Sequence, residues 1–145
     1  MQREGVCHLH PILLFFMKKT CDFCIRLHPV VDHLRSVLRE EEAKHTAEFH
    51  MLPMWYGESA ETDEIFGKLR IQGYPTILLF VPVPSGGFFL LEYTGPRTYE
   101  AIREYAVSGY TNTTCQYKIE DKVRMKLSAE LKRLSDEERG RGTWM

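Results

Sequence analysis

The chain has 145 residues, room for one ordinary domain on the usual scale of about 100–200 residues. An apolar share of 43% and a charged share of 27% fit a folded globular domain and exclude a disordered or fibrous chain. Nineteen Lys and Arg against 20 Asp and Glu leave a net charge of −1, so no overall positive field draws it to nucleic acid.

Residues 1–11 carry little pattern and form an amino-terminal segment ending at Pro11. They do not read as a secretory signal: the apolar stretch after them is short, runs into Lys18 and Lys19, and lacks a small-residue cleavage site. Ile12 to Met17 is a continuous apolar run, suited to a strand covered on both faces. Thr20 is placed to cap a helix whose apolar positions are Ile25, Leu27, Val30, Val31, Leu34, Val37 and Leu38. Pro29 falls inside that helix and should kink it, while Arg39 to Lys44 should be its solvated end. Phe49 to Tyr56 reads as a weaker strand containing Pro53, and Glu61 to Arg70 as a short helix with Ile65, Phe66 and Leu69 inward. Thr76 to Val81 is an emphatic buried strand, joined through turn chemistry at residues 82–87 to a hairpin partner, Phe88 to Tyr93. Thr98 to Val107 is the last core helix. This alternation implies an α/β domain with a mixed sheet flanked by helices.

Residues 110–145 read as a helical extension. Ile119, Val123, Leu127, Leu131 and Leu134 form a narrow apolar stripe in a charged background. Packing back onto the domain is the simpler expectation; recruitment of a partner through this helix is the other. No run in the chain approaches the roughly 20 apolar residues of a membrane span.

The chemistry lies in Cys21-Asp22-Phe23-Cys24. Two cysteines separated by two residues, where a strand gives way to a helix, form a thiol-exchange pair. Unpaired N–H groups and the helix dipole favour an anion at the first cysteine, and the thiolate is the reactive form. Cys21 is therefore expected to attack a substrate disulfide, and Cys24 to resolve the mixed disulfide. Lys18 and Lys19 favour the thiolate and Asp22 opposes it. No dissociable cofactor is needed, because the dithiol carries two electrons.

With three blocks in order, residues 12–109 resemble the thioredoxin superfamily, and within it the protein disulfide isomerase branch. The blocks are the strand with Cys21-Asp22-Phe23-Cys24 and Pro29, then Gly73-Tyr74-Pro75-Thr76, then Tyr93-Thr94-Gly95-Pro96-Arg97-Thr98. The last two resemble the isomerase-type domains of transmembrane thioredoxin-related proteins. The resemblance implies a cis Tyr74–Pro75 bond facing the dithiol, with Tyr74 offering backbone groups to an extended substrate. It also implies that Arg97 favours the Cys24 thiolate, that the clients are cysteine-containing proteins, and that a redox partner recycles the pair. Eleven residues cannot supply the upstream strand and helix of a full isomerase domain, so a minimal β-α-β-α-β-β-α core is expected. Its strand order should be second, first, third, fourth, leaving the Pro53 strand at an edge. The chain departs from the family at Thr20, where an aromatic is usual, at Asp22 and Phe23, and at Phe15, which stands where the family buries an acid that helps deprotonate the resolving cysteine.

Two other readings use the same residues. Cys21, Cys24 and His28 could join Cys7, His8 or His10 around a metal ion, although the second ligand pair of a structural zinc site is missing. Alternatively, a thioredoxin-like module could hold unfolded or cysteine-bearing clients with little turnover. The remaining histidines, His33, His45 and His50, are expected to be structural, and Cys7 and Cys115 unpaired. Cellular address stays open. The resemblance favours the endoplasmic reticulum lumen, where Asn112-Thr113-Thr114 would be a glycosylation acceptor, whereas a chain complete as given, with no retrieval signal at Arg141 to Met145, would be cytoplasmic.

Overall fold

The computed structural model describes residues 10–83, 87–109 and 121–142. Its elements are β1 (Ile12–Met17), α1 (Asp22–Ala43), β2 (His50–Trp55), α2 (Ala60–Lys68), β3 (Thr76–Pro82), β4 (Phe88–Glu92), α3 (Tyr99–Val107) and α4 (Asp121–Gly142). The four strands form one sheet in the order β2-β1-β3-β4. β1 runs parallel to β2 and antiparallel to β3, and β3 and β4 are an antiparallel pair. The sheet is thus mixed, with the expected strand order, in a thioredoxin-like fold.

All six residues of β1 are buried because the strand is central and covered on both faces. Side chains alternate along it, so Leu13, Phe15 and Met17 join Leu27, Val31, Leu34, Ile102 and Ala106 on the α1–α3 side. Ile12, Leu14 and Phe16 point the other way, onto Ile65, Phe66, Leu127, Leu131 and Leu134 from α2 and α4. Three residues of the carboxyl-terminal helix's apolar stripe, Leu127, Leu131 and Leu134, are therefore packed on the domain's own sheet, while Val123 is part-exposed. Ile119, at the start of the stripe, lies outside the described residues.

Pro53 sits in edge strand β2, opposite Phe15, where its missing N–H breaks no ladder bond on the open side. That edge has a neighbour in α4. Arg35 of α1 approaches Glu138 of α4 at 2.9 Å, and the groove between them is floored by Leu52, Pro53 and Met54 of β2.

Three local expectations are corrected. Thr20 is exposed and does not cap α1; Cys21 does, accepting the Cys24 N–H on its sulfur. The turn after β1 is one residue longer than the pattern suggested, as the Cys21 N–H bonds back to the Lys18 carbonyl at 3.1 Å. Ile25 is 55% exposed, because the buried stripe of α1 is Cys24, Leu27, Val31, Leu34 and Leu38. The end of α1 is not simply solvated: Glu41 grips Arg103 at 2.7 Å and Glu42 meets His50 at 3.3 Å, tying α1 to α3 and β2. Pro29 lies within α1, which continues past it to Ala43.

Candidate active site

The end of β1 and the start of α1 place the two cysteines. Cys21 holds the extended backbone of an N-cap, and its Sγ accepts the Cys24 N–H at 3.3 Å. Cys24 lies inside the first turn and is fully buried, in one apolar cluster with Phe15. Its Sγ accepts the Lys18 N–H at 3.5 Å. Cys21 is only half-buried, and both thiols are free.

A second loop faces this pair. The Tyr74–Pro75 peptide bond is cis, and the Tyr74 carbonyl accepts a hydrogen bond from Cys21 Sγ at 3.5 Å. Thr76 pins the loop by donating its hydroxyl to the Gly73 carbonyl at 2.6 Å. A third loop, residues 93–98, turns tightly: a Cβ on Gly95 would stand 2.8 Å from the Tyr93 hydroxyl. Thr98 then caps α3 by accepting the Ala101 N–H. This turn brings the exposed Arg97 to the mouth of the dithiol, its guanidinium 6.0 Å from the Phe23 ring centre.

The two thiols are electrostatically unequal. The Cys21 pKa is lowered, first by the hydrogen bond from the Cys24 thiol and then by the Cys24 and Phe23 N–H groups, against burial and the Asp22 charge. Burial pushes the Cys24 thiol up to about 11, reinforced by its hydrogen bond to Cys21; the Lys18 N–H opposes the rise, and Arg97 does so most weakly. When the pair gives up one proton, the charge therefore falls on the outer sulfur at the helix terminus, while the remaining proton stays on the buried one.

No family model matches the chain. Protein disulfide-isomerases of Triticum aestivum and Hordeum vulgare are each 30% identical to it over 94 residues, covering 65% of this chain and 16% of theirs. The human ERp44 zinc-bound form superposes with a TM-score of 0.53 and 25% identity, over 72% of this chain and 28% of that one. The first two thioredoxin domains of Naumovozyma dairenensis Eps1p share the fold, with a TM-score of 0.53 and 24% identity over 69% of this chain and 35% of theirs. The chain carries a domain of the thioredoxin fold that is similar to those of protein disulfide isomerases. It spans about a sixth of the length of the curated relatives.

In this thioredoxin domain, the residues expected to form a site, Cys21, Cys24, Tyr74, Pro75 and Arg97, lie around one opening. Within the metal reading, His28 instead meets Asp32 at 3.5 Å and packs edge-on against Trp55. Among the described residues no three His, Cys, Asp or Glu side chains gather closely enough to hold an ion, and Cys7 and His8 lie outside those residues. Cys115 and Asn112 also lie outside them. His33 stacks on Tyr99 at 4.1 Å and His50 pairs with Glu42, both structural uses.

Sequence reasoning missed Phe23, Arg26 and Tyr56. Phe23 is 56% exposed between the two cysteines, with Arg26 5.3 Å from its ring centre. A signal existed: positions three apart in a helix are neighbours, so an aromatic and an arginine at that spacing meet beside the thiols.

Proposed function

We propose that this domain exchanges protein disulfides through Cys21 and Cys24, as an oxidoreductase of the isomerase type. The observation that carries the reading is the unequal thiol pair at the start of α1, its outer sulfur 3.5 Å from the Tyr74 carbonyl. The Cys21 thiolate attacks one sulfur of a client disulfide. A Cys21–client bond forms, and the client's other sulfur leaves as a thiolate that takes a proton from water. Cys24 then gives its proton to solvent and attacks the Cys21 sulfur, forming the Cys21–Cys24 disulfide and freeing the second client thiol. The client has gained two electrons and the domain has lost two. A recycling dithiol partner restores them, and the same steps run backwards oxidise a client.

Tyr74 and Pro75 would hold an extended client segment beside Cys21, and Arg97 would ease ionisation of Cys24. The dithiol carries the electrons, so the proposal needs no dissociable cofactor. The endoplasmic reticulum lumen, where protein disulfides form and persist, is the compartment that suits this chemistry.

A second reading is favoured by one feature. Cys24 ionises with difficulty, and Phe15, in the same buried cluster, is an apolar side chain that cannot accept a proton. A module that captures clients through Cys21 and releases them slowly fits that arrangement. Reduction of insulin by dithiothreitol separates the two. Catalysis by the wild-type domain that is lost in Cys21→Ser supports the enzyme; turnover no greater than that of the variant supports the module.

A further inference from the structure

The opening around Cys21 is ringed by aromatic side chains with cations over them. On one side lies Phe23, with Arg26 at 5.3 Å and Arg97 at 6.0 Å from its ring centre. On the other, Lys18 Nζ stands 5.8 Å from the Tyr56 ring and 5.5 Å from that of Tyr74. Among the described residues, no carboxylate lies within ion-pairing distance of Lys18, Arg26 or Arg97. Elsewhere Arg35, Lys68, Arg103, Arg133 and Arg139 hold carboxylates, while Lys44, Arg70, Lys122, Lys126 and Lys132 hold none among the described residues; what sets the rim's cations apart is the aromatic rings they stand over. Two acids also border the opening. Asp22 weakens Cys21 ionisation, and Asp63, which accepts the Gly57 N–H at 2.8 Å, acts on Tyr74. Three cations thus stand against these two acids, on a chain whose net charge is −1.

Free cations beside exposed aromatic rings make a surface that attracts anions and also covers apolar side chains. We propose that this rim selects clients whose disulfide cysteines are flanked by acidic residues next to apolar ones. The acidic groups pair with Arg26 and Arg97, and the apolar neighbour lies against Phe23. This rests on Cys21 being the attacking thiol and adds a client class to it.

The test uses the full chain with Cys7→Ser, Cys24→Ser and Cys115→Ser, so that Cys21 is the only thiol and the reaction stops after one exchange. Three peptides differ only in having Asp, Asn or Lys two residues either side of a single cysteine, activated as a 2-pyridyl disulfide. The Cys21 thiolate bonds to the peptide sulfur, the bond to the pyridyl sulfur breaks, and the released thiopyridone takes up a proton and absorbs. Each rate is divided by that of mercaptoethanol with the same peptide, which removes the peptide's own charge effect on thiolate attack.

The expected order is Asp, then Asn, then Lys, with Asp ahead of Asn by about fivefold at low salt, the worth of two exposed ion pairs. The ratio should shrink toward one in about 0.5 M salt, where charges a few ångströms apart are screened. The double variant Arg26→Gln, Arg97→Gln should bring it close to one at low salt. Equal rates for Asp and Asn, or a ratio that survives the double substitution, overturn the client class while leaving Cys21 as nucleophile. Silence toward all three peptides, while mercaptoethanol reacts, removes the exchange reading and the client class together.

Discussion

Resolution of the mixed disulfide should be the slow, base-dependent step of this domain. Burial and the hydrogen bond to Cys21 push Cys24 up to about 11, so at pH 7 only about one molecule in 10,000 carries its thiolate. Part of that cost vanishes in the mixed disulfide, where Cys21 is no longer an anion. Burial is the larger cause and it remains, because Cys24 is fully enclosed beside Phe15. The Cys24 pKa then stays above its ordinary value of 9.0, so the rate of resolution rises about tenfold per pH unit to pH 8 and is still climbing at pH 9. Between pH 7 and 9 the gain is about 50- to 100-fold. Stopped-flow mixing of a Cys7→Ser, Cys115→Ser protein with one equivalent of 5,5'-dithiobis(2-nitrobenzoate) resolves it. A first equivalent of thionitrobenzoate reports attack by Cys21, and a slower second reports Cys24 closing on Cys21. Cys24→Ser should abolish the second phase. A second phase that levels off below pH 8 would show that Cys24 loses its proton easily and would refute the reasoning.

Replacing the acid between the cysteines should tune the pair: Asp22→His removes a charge that opposes the Cys21 thiolate and raises the reduction potential by about 15 mV, a threefold change in equilibrium with glutathione. A potential that is unchanged or lower counts against this. Leu131→Ala, in a fully buried side chain of α4, should cost about 2–5 kcal/mol in urea unfolding; a loss below about 1 kcal/mol would mean that α4 is not part of the core. Gly95→Ala drives a Cβ against the Tyr93 phenol, which donates to the Pro96 carbonyl at 2.5 Å. The lost bond should cost about 1 kcal/mol by the same assay, and an equally stable variant would show that the turn yields freely.

The sheet was legible because its strands are extreme. Runs such as Ile12 to Met17 and Thr76 to Val81 leave no polar face, which fits only central strands, and Pro53 marked the edge. Helix starts were harder. Thr20 and Cys21 are both able to accept a backbone N–H, and only the Lys18–Cys21 turn decides between them. Ile25 was read as core because it is apolar, yet the helix phase set by Leu27, Val31 and Leu34 turns it to solvent. At the site, Cys21 and Cys24 announced themselves by spacing. The collar did not, since it joins Lys18, Phe23 and Arg26 to Tyr56, Tyr74 and Arg97 from loops far along the chain.

The placement of α4 also orders events during synthesis. Ile12, Leu14 and Phe16 are made early, but the leucines that roof them are 127, 131 and 134. A nascent chain can pair all four strands and dock α1, α2 and α3 while the part of the opposite face that α4 covers still meets water. Until α4 docks, the partly covered sheet exposes apolar surface of the kind that makes folding intermediates prone to aggregate.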